Sequence, residues 1–155
     1  MESNWSAVLI WTMALTSGLM AGTYLAFSGF IMRAFATLEP HQGINAMNAI
    51  NATIVRTSFM PLFFGSTLVA LAMVGLGARY WGADGSILTV LAGLIYVVGM
   101  FVVTAAANVP LNNRLAGAGG SATTNDGDVA RQTWSQYLSL WTRWNTVRTV
   151  ASLVT

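Results

Sequence analysis

The sequence predicts an all-α fold, a transmembrane four-helix bundle, on three observations. Residues 3–32, 57–78 and 85–113 carry no charged side chain, and each run is long enough to cross a bilayer's hydrocarbon core, which takes roughly 20 helical residues. Charged residues make up 8% of the 155-residue chain, against about 25% in a typical soluble protein. Mean hydropathy is +0.60. This length suits one domain, and a bundle of about four helices fills it. Residues 1–155 therefore read as a single integral membrane domain. Its helices are expected at about 5–30, 58–78, 86–107 and 129–155, with a polar helical segment at about 43–56.

The first helix begins after Met1, Glu2, Ser3 and Asn4, which offer no positive flank, and its apolar run exceeds a signal peptide's h-region of about 7–15 residues. It is expected to be retained. Trp5 and Trp11 suit an interfacial belt. Gly18, Gly22 and Ala26 recur every fourth residue, a smooth stripe expected to seat a neighbouring helix of the bundle. Pro40 breaks the chain. In the polar segment, Asn45 and Asn48 share a face and Asn51 follows.

Pro61 falls in the first turn of the second helix if that helix starts near Ser58, and kinks it otherwise. Gly75, Gly77 and the run from Trp81 to Gly85 mark a short turn. Pro110 is expected to limit the third helix. Residues 116–128, rich in Gly, Ala, Ser and Thr, read as a flexible surface loop, after which Asp128 can cap the fourth helix. Residues beyond Arg148 supply only about 10 Å of helix, so the fourth span is expected to be incomplete unless Arg148 lies well inside the membrane.

Net charge is +2, and every basic residue is Arg. Lys-based Schiff-base chemistry and the P-loop lysine are thereby excluded. Without Cys there is no disulfide, thiolate-bound zinc or Cys nucleophile. No metal site is expected, because Glu39 and the lone His41 fall short of a ligand set; His41, beside Pro40, reads as exposed and inert. Scattered Arg residues make no nucleic-acid surface. Arg33, Arg56, Arg114, Arg131 and Arg143 lie in the two odd-numbered connections or beside them. Positive-inside logic then puts those segments in the cytoplasm and the N-terminus outside, and the expected location is the bacterial inner membrane. The polar segments meet at one membrane face.

Trp141, Trp144, Asn145 and Arg148 fall at 0, +3, +4 and +7, one helical stripe that Ser152 extends. Two indoles beside an amide and a guanidinium make a flat apolar wall with fixed donors, suited to a planar, oxygenated ligand. The alternative for Trp141 and Arg143 is an interfacial belt with Arg snorkelling. For Arg148, followed at once by apolar residues, burial within the bundle is expected, bonded to Asn side chains or to carbonyls freed near Pro110. Asn108, Asn112 and Arg114 surround Pro110 and serve either to cap a broken helix or to bind a ligand; the two roles are compatible.

The chain resembles the anthrone oxygenase-like family of small membrane proteins, largely a domain of unknown function. The resemblance rests on residues 22–30, 46–51 (Ala-Met-Asn-Ala-Ile-Asn), 63–67 (Phe-Phe-Gly-Ser-Thr), 108–114 (Asn-Val-Pro-Leu-Asn-Asn-Arg) and 144–149 (Trp-Asn-Thr-Val-Arg-Thr). The last two segments are the most specific. Many relatives carry His after the Trp-Asn pair where this chain has Thr146, and relatives continue further past the fourth-helix Arg, so the end at Thr155 is expected to be a truncation.

The resemblance implies a cofactor-free monooxygenase that oxidises a flat hydrophobic phenolic or polyketide compound with O2. Arg148, Asn145, Asn108 and Asn112 would be the catalytic electrostatic donors, with Trp141, Trp144, Asn48, Asn51 and Arg114 binding the ligand. The alternative is a non-catalytic, lipid- or quinone-binding accessory subunit of a larger membrane complex. Expected partners are the lipid bilayer, a planar aromatic small molecule, and a membrane-protein partner or second copy, with no nucleic acid. Transport is disfavoured, since one intramembrane Arg without acidic partners makes a poor relay.

Overall fold

The computed structural model describes residues 4–119 and 127–155. Among them the protein is all-α, with five helices and no strand. Helix α1 (residues 4–35) runs through a π turn at Phe27–Ile31. Helix α2 is Pro40–Ile54, α3 is Phe59–Arg79, and α4 covers residues 86–119 with π turns at Val97–Val102 and Thr104–Asn108. Helix α5 is Gly127–Leu153. Three of these helices are long and apolar enough to cross a membrane: Ser6–Phe35, Phe59–Arg79 and Ser86–Ala118. This is a membrane protein. Helix α5 is not among the three, since Arg131, Arg143 and Arg148 interrupt its apolar character.

The fifth helix is the polar helical segment expected at about 43–56, which runs Pro40–Ile54. Pro40 opens it rather than merely ending what precedes, its fixed φ being suited to a first helical position. Gln42 Oε1 accepts the Glu39 backbone N–H at 3.3 Å, which satisfies one orphan donor. Pro61 lies in the first turn of α3, where its missing N–H costs nothing.

Pro110 does not stop α4. A mid-helix proline removes a backbone bond and collides with the carbonyl four residues earlier; the two π turns just before it widen the helix and let it continue to Gly119. The expected loop is therefore shorter than residues 116–128, and its centre, residues 120–126, lies outside the described residues. Asp128 sits in the first turn of α5.

Helices α3 and α4 form a hairpin whose turn uses Gly82 and Gly85 at φ 92° and 76°, a region that only glycine enters cheaply. Their contact is glycine-mediated. A Cβ on Gly93 would lie 2.6 Å from the Ala70 carbonyl, and one on Gly77 would lie 2.7 Å from Val90. Gly99 similarly admits Ala151 of α5. In lipid, where apolar burial drives little, such close backbone approach is the main source of helix association. The stripe expected to do this in α1 does not: nothing lies within 4 Å of a Cβ placed on Gly18 or Gly22. Both face outward.

Helices α2 and α3 together follow α4 in the opposite direction. Asn48 lies by Leu115, Phe63 by Phe101, and Gly93 by Ala70 and Val74. They differ in their other neighbour. Helix α2 packs on α5, whereas α3 packs on α1. This change of neighbour separates two cores. One holds Met20, Tyr24, Phe63, Tyr96 and Met100, and the other Met32, Ile44, Met47, Leu115, Trp134 and Tyr137. A cavity lies between them.

Candidate ligand-binding site

The cavity measures about 320 Å³, the low end of the range for small-molecule sites. Every helix contributes to it: Tyr24 and Phe27 from α1, Met47 and Asn51 from α2, Phe59 and Phe63 from α3, Thr104 and Asn112 from α4, and Trp141, Asn145 and Arg148 from α5. Among the described residues Arg148 is the only charged one lining it, and no acid does.

Arg148 is buried, at 5% exposure. Its Nη2 donates to Asn145 Oδ1 at 2.6 Å and its Nη1 to Thr104 Oγ1 at 3.3 Å. Both partners are neutral, and the guanidinium cannot shed its charge. Its Nε–H has no partner. The guanidinium carbon sits 4.3 Å from the Tyr24 ring centroid and 5.3 Å from that of Trp141, so two aromatic faces replace part of the lost hydration. The expectation of burial and an Asn partner holds. The carbonyls near Pro110 are not its partners.

Asn145, fully buried, fixes this cation. Its Nδ2 donates to the Tyr24 carbonyl at 2.7 Å and to Ser28 Oγ at 2.6 Å. A carbonyl can only accept, so the amide orientation is forced and its oxygen must face Arg148. The Tyr24 carbonyl lies just before the π turn of α1, where the bonding shifts to pairs such as Met32 N–H to Phe27 O. The irregular turn and the Asn from another helix thus satisfy each other.

A ring ladder climbs α5 toward the cation. Trp134 stacks on Tyr137 at 5.7 Å, and Tyr137 on Trp141 at 6.2 Å, while Phe27 tilts against Trp141 at 5.5 Å. Gly43 makes room for the ladder's foot, since a Cβ there would meet the Trp134 ring at 2.5 Å. The Tyr137 hydroxyl donates to Asn112 Oδ1 at 2.8 Å.

Asn108 is buried and donates to the Trp141 carbonyl at 3.3 Å, but it does not line the cavity. Its role is to join α4 to α5. Asn48 reaches the Leu115 carbonyl at 3.5 Å and also stays outside the cavity, as do exposed Arg114 and His41. Trp144 is 42% exposed. At +3 from Trp141 it lies on the edge of the stripe that points outward, so only one of the two expected indoles forms the wall. Of the nine residues expected to form the site, the structure brings Asn51, Asn112, Trp141, Asn145 and Arg148 together.

Tyr24, Thr104 and Tyr137 escaped sequence reasoning. Tyr137 was findable, because Trp134, Tyr137, Trp141, Asn145 and Arg148 continue one three-four stripe upstream. Tyr24 and Thr104 are single polar residues in apolar spans and give no local signal. The chemistry of the site is that of unused donors. The Arg148 Nε–H, the Trp141 indole N–H and the Asn51 amide nitrogen are buried without hydrogen-bond partners. The Tyr24 hydroxyl sits beside Thr104 and Arg148. Unmet buried donors cost about 1–3 kcal/mol each; Arg148 gives the cavity a positive lining, to which a ligand bearing negative charge would be complementary. Among the described residues no three His, Cys, Asp or Glu side chains gather as a metal site.

Neither a curated protein nor a solved structure matches the chain. One family does, under the description anthrone oxygenase, over residues 51–155. The match takes in α3, α4 and α5 whole together with the end of α2, and includes Asn51, Thr104, Asn112, Trp141, Asn145 and Arg148. With more than half of its length matched, the chain belongs to the anthrone oxygenase family.

Proposed function

We propose that this protein is a cofactor-independent membrane oxygenase acting on a flat, hydrophobic phenolic compound. The observation that carries the reading is Arg148: a buried cation with neutral partners, lining an aromatic cavity to which the described residues contribute no acid. Such a group favours an enolate or phenolate over its neutral form by supplying fixed charge where charge develops. Trp141, Phe27 and Phe63 enclose the rings by offset or edge contacts, and the Asn51 and Asn112 end holds a further ring oxygen.

In this mechanism an activated ring CH2 of the substrate loses a proton to water, and the enolate oxygen rests on Arg148. The enolate gives one electron to O2, and the resulting carbon radical and superoxide join as a peroxide anion. That anion regains a proton, and the hydroperoxide then loses water as its O–O bond breaks, leaving a ring carbonyl. The sum is CH2 + O2 → C=O + H2O, with no outside reductant. The chain's own part is to desolvate the rings, hold the oxyanion and keep the amide network rigid.

Membrane placement follows the arginines: the connection from α1 through α2 to α3 and that between α4 and α5 face the cytoplasm of a bacterial inner membrane, with the N-terminus outside. The non-catalytic alternative, a lipid- or quinone-binding accessory subunit, uses the same cavity, and oxygen uptake separates the two. With 1,8-dihydroxyanthrone and protein in lipid nanodiscs, one O2 should be consumed per quinone formed, at a rate abolished by Arg148→Gln. Tight binding of the anthrone with no oxygen uptake above a protein-free control would establish the accessory role instead.

A further inference from the structure

Every exposed residue of the cavity lining is apolar, while the polar residues Thr23, Asn51, Thr104 and Asn112 are half-buried. Tyr24, Trp141, Asn145 and Arg148 are buried, whereas the exposed lining residues are all apolar: Val55 at 55%, Phe64 at 50%, Val109 at 42%, and Ala105. They come from the end of α2, the first turns of α3 and the middle of α4. The opening is therefore at the break between α2 and α3, where the chain exchanges α5 for α1 as its neighbour.

Depth follows from helix length. At 1.5 Å per residue α3 is about 31 Å long, close to the roughly 30 Å hydrocarbon thickness, so its first residue, Phe59, marks one edge of the hydrocarbon. Phe63, Phe64 and Phe101 lie inside that edge, and Asn51 and Asn112 lie outside it. The residues 55–58 connection sits at that edge, and its first residue, Val55, lines the cavity.

We propose that the cavity takes its ligand sideways from the bilayer, through this apolar opening, and that the ligand is a planar amphiphile dissolved in the lipid near the headgroups. The inference rests on reading the cavity as a ligand site and adds the phase from which the ligand comes. A water-borne polar compound would have to pass Val55, Phe64 and Val109, which offer it no hydrogen bond. A lipid-dissolved ring system slides past them with its oxygen-bearing edge leading to Arg148 and the amides.

The chain has no Cys, so single thiols report cleanly. In lipid vesicles, Phe64→Cys, inside the hydrocarbon edge, should react about tenfold faster with pyrenylmaleimide, which partitions into the bilayer, than with a sulfonated stilbene maleimide confined to water, and Val55→Cys, at the edge, should take the pyrene label as well. Equal or reversed rates would overturn the proposal. The attached pyrene should also slow association of 1,8-dihydroxyanthraquinone by about tenfold and hinder its dissociation, because it narrows the passage. The same label on Leu88→Cys, exposed far along α4, should leave both rates alone. An unchanged association rate after labelling at position 55 would refute the route. None of these readouts uses oxygen consumption, so a protein that binds quinone without oxidising anthrone ends the enzymatic reading and leaves the route standing. If the quinone does not bind at all, the labelling rates alone still decide where the opening faces.

Discussion

Asn145 holds Arg148 by a 2.6 Å bond from one helical turn away, and is itself held by two bonds to α1. The amide has no freedom left, so the guanidinium is fixed while its Nε–H stays without a partner. Replacing Asn145 with Leu removes all of these bonds and strands a buried cation. The expected loss is about 1–3 kcal/mol of stability, read as a lower unfolding midpoint in detergent, together with loss of quinone binding. A midpoint equal to wild type would mean that the network contributes nothing.

Thr104→Asp tests the charge separately from the fold. Thr104 already touches Arg148 at 3.3 Å, so a carboxylate there would pair with the guanidinium and neutralise it. The fold should survive, because the new charge is paired, while affinity for an anionic ring compound falls by tenfold or more, about 1.4 kcal/mol. Affinity for a neutral planar hydrocarbon should change little. Equal loss for both ligands would point to simple obstruction.

The two indoles of the stripe should part company on substitution. Trp141→Ala removes a wall stacked on Tyr137 and tilted on Phe27, at a cost of about 3–5 kcal/mol or a collapse of ligand affinity. Trp144→Ala, on the outer face, should leave affinity within about twofold. Comparable effects on ligand affinity at both positions would return Trp144 to the site.

Two glycines give opposite outcomes. Gly43→Ala drives a methyl into the Trp134 ring, and overpacking of this kind costs about 1–3 kcal/mol. Gly22→Ala meets nothing and should be neutral or mildly stabilising in the same unfolding measurement.

How much of this was legible follows residue by residue. Asn145 and Arg148 stood out because polar groups in an apolar helix carry a cost that a sequence reveals. The exact stripe did not resolve Trp144, since a residue three positions from Trp141 lies on the stripe's margin, where packing decides which way a side chain faces. Pro110 suggested a helix end because a π turn is a hydrogen-bond shift with no compositional mark. Gly18 and Gly22 looked like packing residues, yet the close approaches fell to Gly43, Gly77, Gly93 and Gly99. Which smooth face is used depends on where the other helices stand, and that is long-range information. The cavity itself arises from α2 and α3 changing neighbours, a topological event that no local pattern encodes.

The central claim is that Arg148 holds an oxyanion of a flat ligand, and optical titration of bound 1,8-dihydroxyanthraquinone tests it most directly, because the phenolate absorbs at longer wavelength than the phenol. In wild-type protein the bound probe should ionise at least about one pH unit lower than in empty nanodiscs, equivalent to about 1.4 kcal/mol of preference for the anion, and Arg148→Gln should abolish that shift while the probe still binds. A probe that binds both proteins and ionises at the same pH in each would contradict it.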